Sequence, residues 1–148
     1  MSTVQYGNAS RTLSLGDQIR EYGKVINKRI DYVHRNLSIM LFTGILYGTP
    51  VDTGEARGGW HPSKDYPVMG GSTRLDPTGR TVAQEIQDVC MSAKFKDVLF
   101  FVNTVEYIVP LEYGWSKQAR NPDGMVRINV SRVRRMVQDV IASAREVR

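Results

Sequence analysis

The sequence predicts an α+β domain: a small mixed or antiparallel sheet with a long N-terminal helix and a C-terminal helix packed on it. Three observations carry this. Apolar residues recur at helical spacing from Leu15 for about thirty residues. A continuous β-forming run, Val98 to Val102, lies in the second half. A last helical stripe fills the C-terminal end. With 148 residues, the chain has the length of one domain and forms an ordinary core without staples. The expected division is a flexible arm over 1–14 and a single domain over 15–148.

Met1 to Ser14 is polar and irregular, with no core of its own. From Leu15 onward, Ile19, Tyr22, Ile26, Ile30, Val33, Leu37, Met40 and Leu41 fall on one helical face. Ser14 or Asp17 caps the start, and Arg20, Lys24, Lys28 and Arg35 fall opposite. The helix runs to about Leu46. Tyr47-Gly48-Thr49-Pro50 stops it, through a left-handed glycine cap and the bias that proline places on its predecessor. Such a helix is roughly 45 Å long, so it either crosses a sheet or projects onto a neighbour.

Asp52 or Thr53 then caps a short turn, and Gly58-Gly59 releases it into a strand from Trp60 to Tyr66, broken by Pro62. Met69 to Gly79 is a loop, and Thr81 to Ala93 a modest helix with Val82, Ile86, Val89 and Cys90 on one face. Val98 to Val102 reads as a central strand buried on both sides. Tyr107 to Tyr113 is a short helical or extended turn containing Pro110, and Gly114 to Gly124 a polar loop. Val126, Ile128 and Val130 alternate as in a strand. Val126, Val130, Val133, Val137, Val140, Ile141 and Ala144 fit a helix for longer, which predicts a helix from about Val126 or Ser131 onward.

Composition narrows the function. Apolar residues make up 41% and charged residues 24%, which argues against disorder of the whole chain. A single cysteine, Cys90, excludes an internal disulfide and multi-cysteine zinc sites within the chain. Met1 to Leu13 has no apolar run suited to a signal peptide, and Ile39 to Tyr47 is too short to span a bilayer. The expectation is a soluble chain with no membrane partner, no metal and no cofactor. Net charge is +5, and six arginines lie between Arg127 and Arg148 against Asp139 and Glu146. Most of the excess is therefore C-terminal.

Several short motifs invite chemical readings. Asp52-Thr53-Gly54 resembles half of a carboxylate dyad, but that reading needs a second such loop, in the same chain or in a dimer, because two carboxylates must share a proton, and no second Asp-Thr-Gly occurs in the chain. Capping of a turn explains the same residues. His34 and His61 lack ligand spacing, and Ser92, Ser116 and Ser143 lack a nucleophile-elbow context. Gly70-Gly71-Ser72-Thr73 lacks the Gly-Lys-Ser/Thr ending of a phosphate loop. Arg132, Arg134 and Arg135, with Arg127, are candidates for DNA or neighbour contact, or simply a solvated face. Leu111-Glu112-Tyr113-Gly114-Trp115 offers aromatic anchors for an interface or for closing the core. No acid/base or nucleophile set emerges, so an enzyme is not expected.

Two segments resemble a known family. Thr49-Pro50-Val51-Asp52-Thr53-Gly54 is followed by Ala56-Arg57 and Gly59-Trp60. Later, Asn103 to Tyr107, Leu111-Glu112-Tyr113-Gly114, Ser116 to Ala119 and Gly124-Met125-Val126-Arg127 form a second pattern. In this order, behind a long helix, they resemble the tail-completion or neck proteins of tailed bacteriophages, from about Leu15 to the end. The chain departs from the family pattern at Arg120-Asn121-Pro122, where a proline usually follows the alanine directly, and at Ile108, where an alanine often stands. The match is also poor between Trp60 and Thr81.

The resemblance implies a non-catalytic virion protein, assembled in the host cytoplasm as a homo-oligomeric ring of six or twelve copies. Its neighbours would be portal, adaptor or head-closure proteins on one side and tail tube or terminator proteins on the other, with genomic DNA in the channel. Thr53, Gly54, Arg57, Trp60, Glu112, Tyr113, Trp115, Ser116 and Met125 are the expected subunit-interface residues. The alternative is a basic nucleic-acid-binding module using the C-terminal arginines.

Overall fold

The computed structural model describes residues 13–115 and 123–147. Most of the expected arm, Ser116 and much of the loop before Gly124 lie outside them. The chain is α+β, and helix α1 (Leu15–Gly48) is its spine. Ser14 caps α1, its hydroxyl accepting the Asp17 N–H at 3.2 Å. The other end differs from the expectation of a left-handed glycine. The cap is Thr49, extended at φ −73° and ψ 123°, because Pro50 disfavours helical backbone in the residue before it.

A four-residue turn, α2 (Glu55–Gly58), leads into β1 (Trp60–Lys64). Helix α3 (Arg80–Ser92) follows, then β2 (Leu99–Asn103), which pairs antiparallel with β1 in the register Pro62↔Phe101. With only two strands, both are edges. Pro62 is tolerated there because a missing N–H does not break a ladder on both sides. The same fact corrects the reading of Val98 to Val102 as a central strand buried on both faces. Leu99 and Phe101 pack on the core, while Phe100 and Val102 point away and are half-covered. Phe101 stacks on Phe42 of α1 at 4.7 Å and on Trp60 at 4.6 Å between ring centroids.

After β2 come α4 (Ile108–Glu112), α5 (Val126–Ser131) and α6 (Val133–Ala144). Pro110 sits in the first turn of α4, where its absent N–H has no helical partner to lose. The last helical stretch starts at Val126, as one of the two expected starts has it, but breaks at Arg132 into two helices. Helices α5 and α6 pack chiefly along α1 rather than on the strands, so the expected layer of C-terminal helix on sheet is replaced by helix on helix.

The core gathers Leu46, Val82, Ile86 and Cys90, all fully buried, with Ile45, Trp60, Leu111 and Met125. Each large aliphatic contributes roughly 1.5–3 kcal/mol by leaving water. Polar side chains of α1 hold the ends of other elements. The Arg29 guanidinium donates to Val147 O at 3.0 Å and Arg145 O at 3.3 Å, closing the end of α6. Arg35, expected on the polar face, is half-buried and donates to Ala93 O just past α3. The Phe95 N–H donates to Asp31 Oδ1 at 2.8 Å.

Candidate functional site

The two motif segments, about fifty residues apart in sequence, form one joint. Trp60 Nε1 donates to Thr49 Oγ1 at 2.8 Å, and the Thr49 hydroxyl donates to Ile45 O at 2.8 Å, so the buried end of α1 and the start of β1 share a hydrogen-bonded chain. Arg57 donates to Thr49 O, Pro77 O and Tyr47 O, and its guanidinium lies over the Tyr47 ring at 5.6 Å. The carbonyls at the end of α1 have no helical donors, and Arg57 supplies them. Gly54 adopts φ +93° directly against Pro77, where any side chain would collide with backbone. Thr53 is exposed, and its hydroxyl accepts the Glu55 N–H at 3.3 Å. This is a local turn bond and not the helix cap expected of Asp52 or Thr53, because Gly54 occupies the cap position and no side chain caps α2.

The second motif meets the first directly. Asn103 Nδ2 donates to Ala56 O at 2.8 Å, and Asn103 Oδ1 accepts the Val105 N–H at 3.0 Å. Tyr107 donates its hydroxyl proton to Glu55 Oε2 at 2.7 Å. Burial, helped by that bond and by the charge of Glu55, pushes the Tyr107 phenol up to about 12, so it stays a neutral donor. A cleft of about 410 Å³ lies between the segments, lined by Val51, Thr53, Glu55, Tyr107 and Leu111 among others.

Glu112 is the densest polar node. Its carboxylate accepts the N–H groups of Met125 at 2.8 Å, Val126 at 2.9 Å and Arg127 at 3.0 Å. These are orphan donors at the start of α5, a helix with no side-chain cap of its own. The Arg127 guanidinium closes the ring, donating to Glu112 Oε1 at 3.2 Å and Glu112 O at 2.8 Å. Burial would push the Glu112 carboxyl up. The backbone donors of Val126, Arg127 and Met125, with the Arg127 side chain, outweigh it and hold the group below the ordinary glutamate value. Gly124, at φ +75°, allows the chain to pass against that carboxylate.

The expected interface residues therefore divide. Gly54, Trp60 and Met125 are buried inside the chain, and Arg57 and Glu112 bond within it, so they shape the surface from beneath. Thr53, Tyr113 and Trp115 reach solvent. Tyr113 and Trp115 stack at 5.4 Å, with Arg127 over Tyr113 at 4.7 Å. Ser116 lies outside the described residues. Arg132, Arg134 and Arg135 are exposed around the α5–α6 break, whereas Arg127 belongs to the Glu112 node.

Other singled-out residues take ordinary places. His61 is held below its usual value by burial and by Arg74, with Glu85 opposing. Among the described residues no group of three His, Cys, Asp or Glu side chains is arranged to hold a metal. Cys90 is buried, which raises its thiol to about 11.

Arg74 and Asp76 are structurally central, yet sequence reasoning passes over them because they lie in a stretch that reads only as loop. Arg74 donates to Gly58 O and Trp60 O and pairs with Glu85. Asp76 accepts the Val82 N–H at 3.0 Å and seats α3 against the first motif. Asp76 stands six positions ahead of Val82, the first residue of the apolar stripe, too far to be read from the sequence as a cap immediately before it. No protein-family model, curated protein or solved structure matches the chain.

Proposed function

We propose that this chain is a structural subunit of a tailed bacteriophage, forming a homo-oligomeric ring in the neck where head and tail join. The observation that carries the reading is the ordered motif pair behind a long helix, the pattern that resembles the tail-completion and neck proteins. Its residues lock together: Asn103 to Ala56, Tyr107 to Glu55, and Glu112 to the start of α5. A rigid joint of this kind holds an outer surface in fixed geometry, which repeated heterologous contacts around an axis require. On this reading the ring encloses the DNA channel between a portal-side and a tail-side partner.

The experiment is to delete the gene and to analyse purified particles by mass spectrometry. The chain should be present in complete virions, and the deletion should accumulate separate filled heads and tails. Joined particles in the deletion strain, with no trace of the chain in wild-type virions, would defeat the reading.

A second reading follows from the exposed guanidiniums of Arg132, Arg134 and Arg135. Arginines on a surface neutralise phosphates without reading sequence. Duplex binding that falls steeply from low to physiological salt, and that the triple alanine variant abolishes, supports it. No binding at low salt removes it.

A further inference from the structure

Helices α1 and α6 pack side by side, and a groove of about 520 Å³ runs between them. Its floor is apolar: Ile30, Val33 and Leu37 come from α1, and Ile141 and Ala144 from α6. Phe95, in the segment after α3, adds a third wall. The walls are wet, with Phe95 60% and Ile141 45% exposed. The charged side chains of the lining are both arginines, Arg29 and Arg145. They stand at one end, where the Arg29 guanidinium donates to Arg145 O and Val147 O. The Arg145 guanidinium has no ion pair or hydrogen bond among the described residues. The acids next to them in sequence, Asp31 and Glu146, do not line the groove, and Asp31 accepts the Phe95 N–H. His34 also lines it, and its Nε2 is buried without a hydrogen-bond partner, which is uncommon in a finished interior.

We propose that this groove binds a long-chain carboxylate, with the acyl chain along the floor and the head group at Arg145 and Arg29. The floor runs about 12 Å along α1 from Arg29 to Leu37, so a cationic end is joined to an apolar length, the complement of an anionic amphiphile. A concave, mostly apolar site of this size with a few convergent polar groups is the usual form of a small-molecule site. The guanidinium fork matches the two oxygens of a carboxylate. His34 stands five residues from Arg29, about 7.5 Å along the axis, and its nitrogen is a further polar contact inside the slot. An acyl chain suits the floor better than an extended peptide does. The backbone groups of α1 and α6 are already bonded within their helices, so a peptide would lay its own N–H and C=O groups on a surface without partners. Phe95 walls the trough and makes it a slot, narrower than an open two-helix seat for a third helix. The inference goes beyond the ring reading and does not rest on it.

The test is calorimetric titration of the full-length protein with dodecanoate below its micelle concentration, and with dodecanol and acetate as the uncharged and chainless controls. Dodecanoate should bind one to one and raise the melting temperature by mass action. Dodecanol should bind at least about tenfold more weakly, and acetate should not bind. Arg145→Gln should weaken dodecanoate by at least about tenfold and leave dodecanol unchanged. Ile141→Glu should abolish both, because it places a charge on the apolar floor. Both residues are exposed, so far-UV circular dichroism and the melting temperature of the free variants should stay near wild type. No dodecanoate binding to the wild type overturns the proposal, as does equal binding of dodecanol or an unchanged affinity in Arg145→Gln. Native mass spectrometry of the free protein supplies the last arm. An oligomer that Ile141→Glu disperses and dodecanoate does not would make a second copy the occupant, and the proposal would fall.

Discussion

The joint around Arg57 and Glu112 and the N-terminal end of α1 are built on opposite terms. At the joint, orphan helix carbonyls and N–H groups, a buried hydroxyl and an indole find partners inside the chain. At the N-terminal end of α1, polar side chains pair locally at i,i+3, and Leu15, Ile19 and Tyr22 are largely exposed. In the first region these groups are satisfied within one chain. The second exposes a contiguous stripe of the kind that soluble monomers rarely leave bare. Stability is therefore concentrated at the joint, while the tip adds little buried contact to the fold.

That contrast breaks most visibly at Gly54. Gly54→Ala should cost about 4 kcal/mol or prevent folding, since the position needs positive φ and abuts Pro77. Urea unfolding measures this, and a loss within experimental error would mean the joint is pliable. Glu112→Ala should cost about 3 kcal/mol by stranding three N–H groups and the Arg127 guanidinium, with Glu112→Gln retaining part of the stability. Equal losses in the two variants would show that the carboxylate charge contributes nothing beyond its oxygens.

A smaller effect should appear on acidification. The folded-state pKa of Glu112 lies below its ordinary value, so its contribution is complete above about 4.5 and is lost as pH falls through the folded value. Stability against pH should therefore drop below that point in the wild type, and the drop should be shallower in Glu112→Gln. Parallel profiles would remove Glu112 as the source. Smallest of all, Ile19→Ser should change monomer stability by no more than about 0.5 kcal/mol, because the side chain leaves no buried contact behind. A loss several times larger would show that the tip folds against its own subunit, and the contrast between the regions would collapse.

Much of the architecture was legible in the residue pattern. The stripe from Leu15, the proline-terminated end of α1, the face carrying Val82, Ile86 and Cys90, and the start of the last helical stretch at Val126 were all readable, because periodicity reports which side of an element leaves water. Less could be read of burial on β2. A run such as Val98 to Val102 looks alike whether one or two strands flank it, and only chain topology sets that number. The break at Arg132 carried no glycine or proline to announce it.

For the candidate site, the sequence identified the residue types that mattered but not their roles. Arg57, Trp60, Glu112 and Met125 stood out as motif residues, and each is engaged inside the chain. Whether a side chain faces a neighbour or caps its own backbone depends on what lies within hydrogen-bond reach of it, and those partners lie beyond the local helical or strand spacing: Thr49 for Arg57 and Trp60, Val126 for Glu112, and Pro77, in an unremarkable loop, for Arg57. Local spacing alone therefore determined the elements and their apolar faces. The fold decided which faces were covered, because α6 ends before the N-terminal turns of α1 and leaves one half of a single stripe dry and the other half wet.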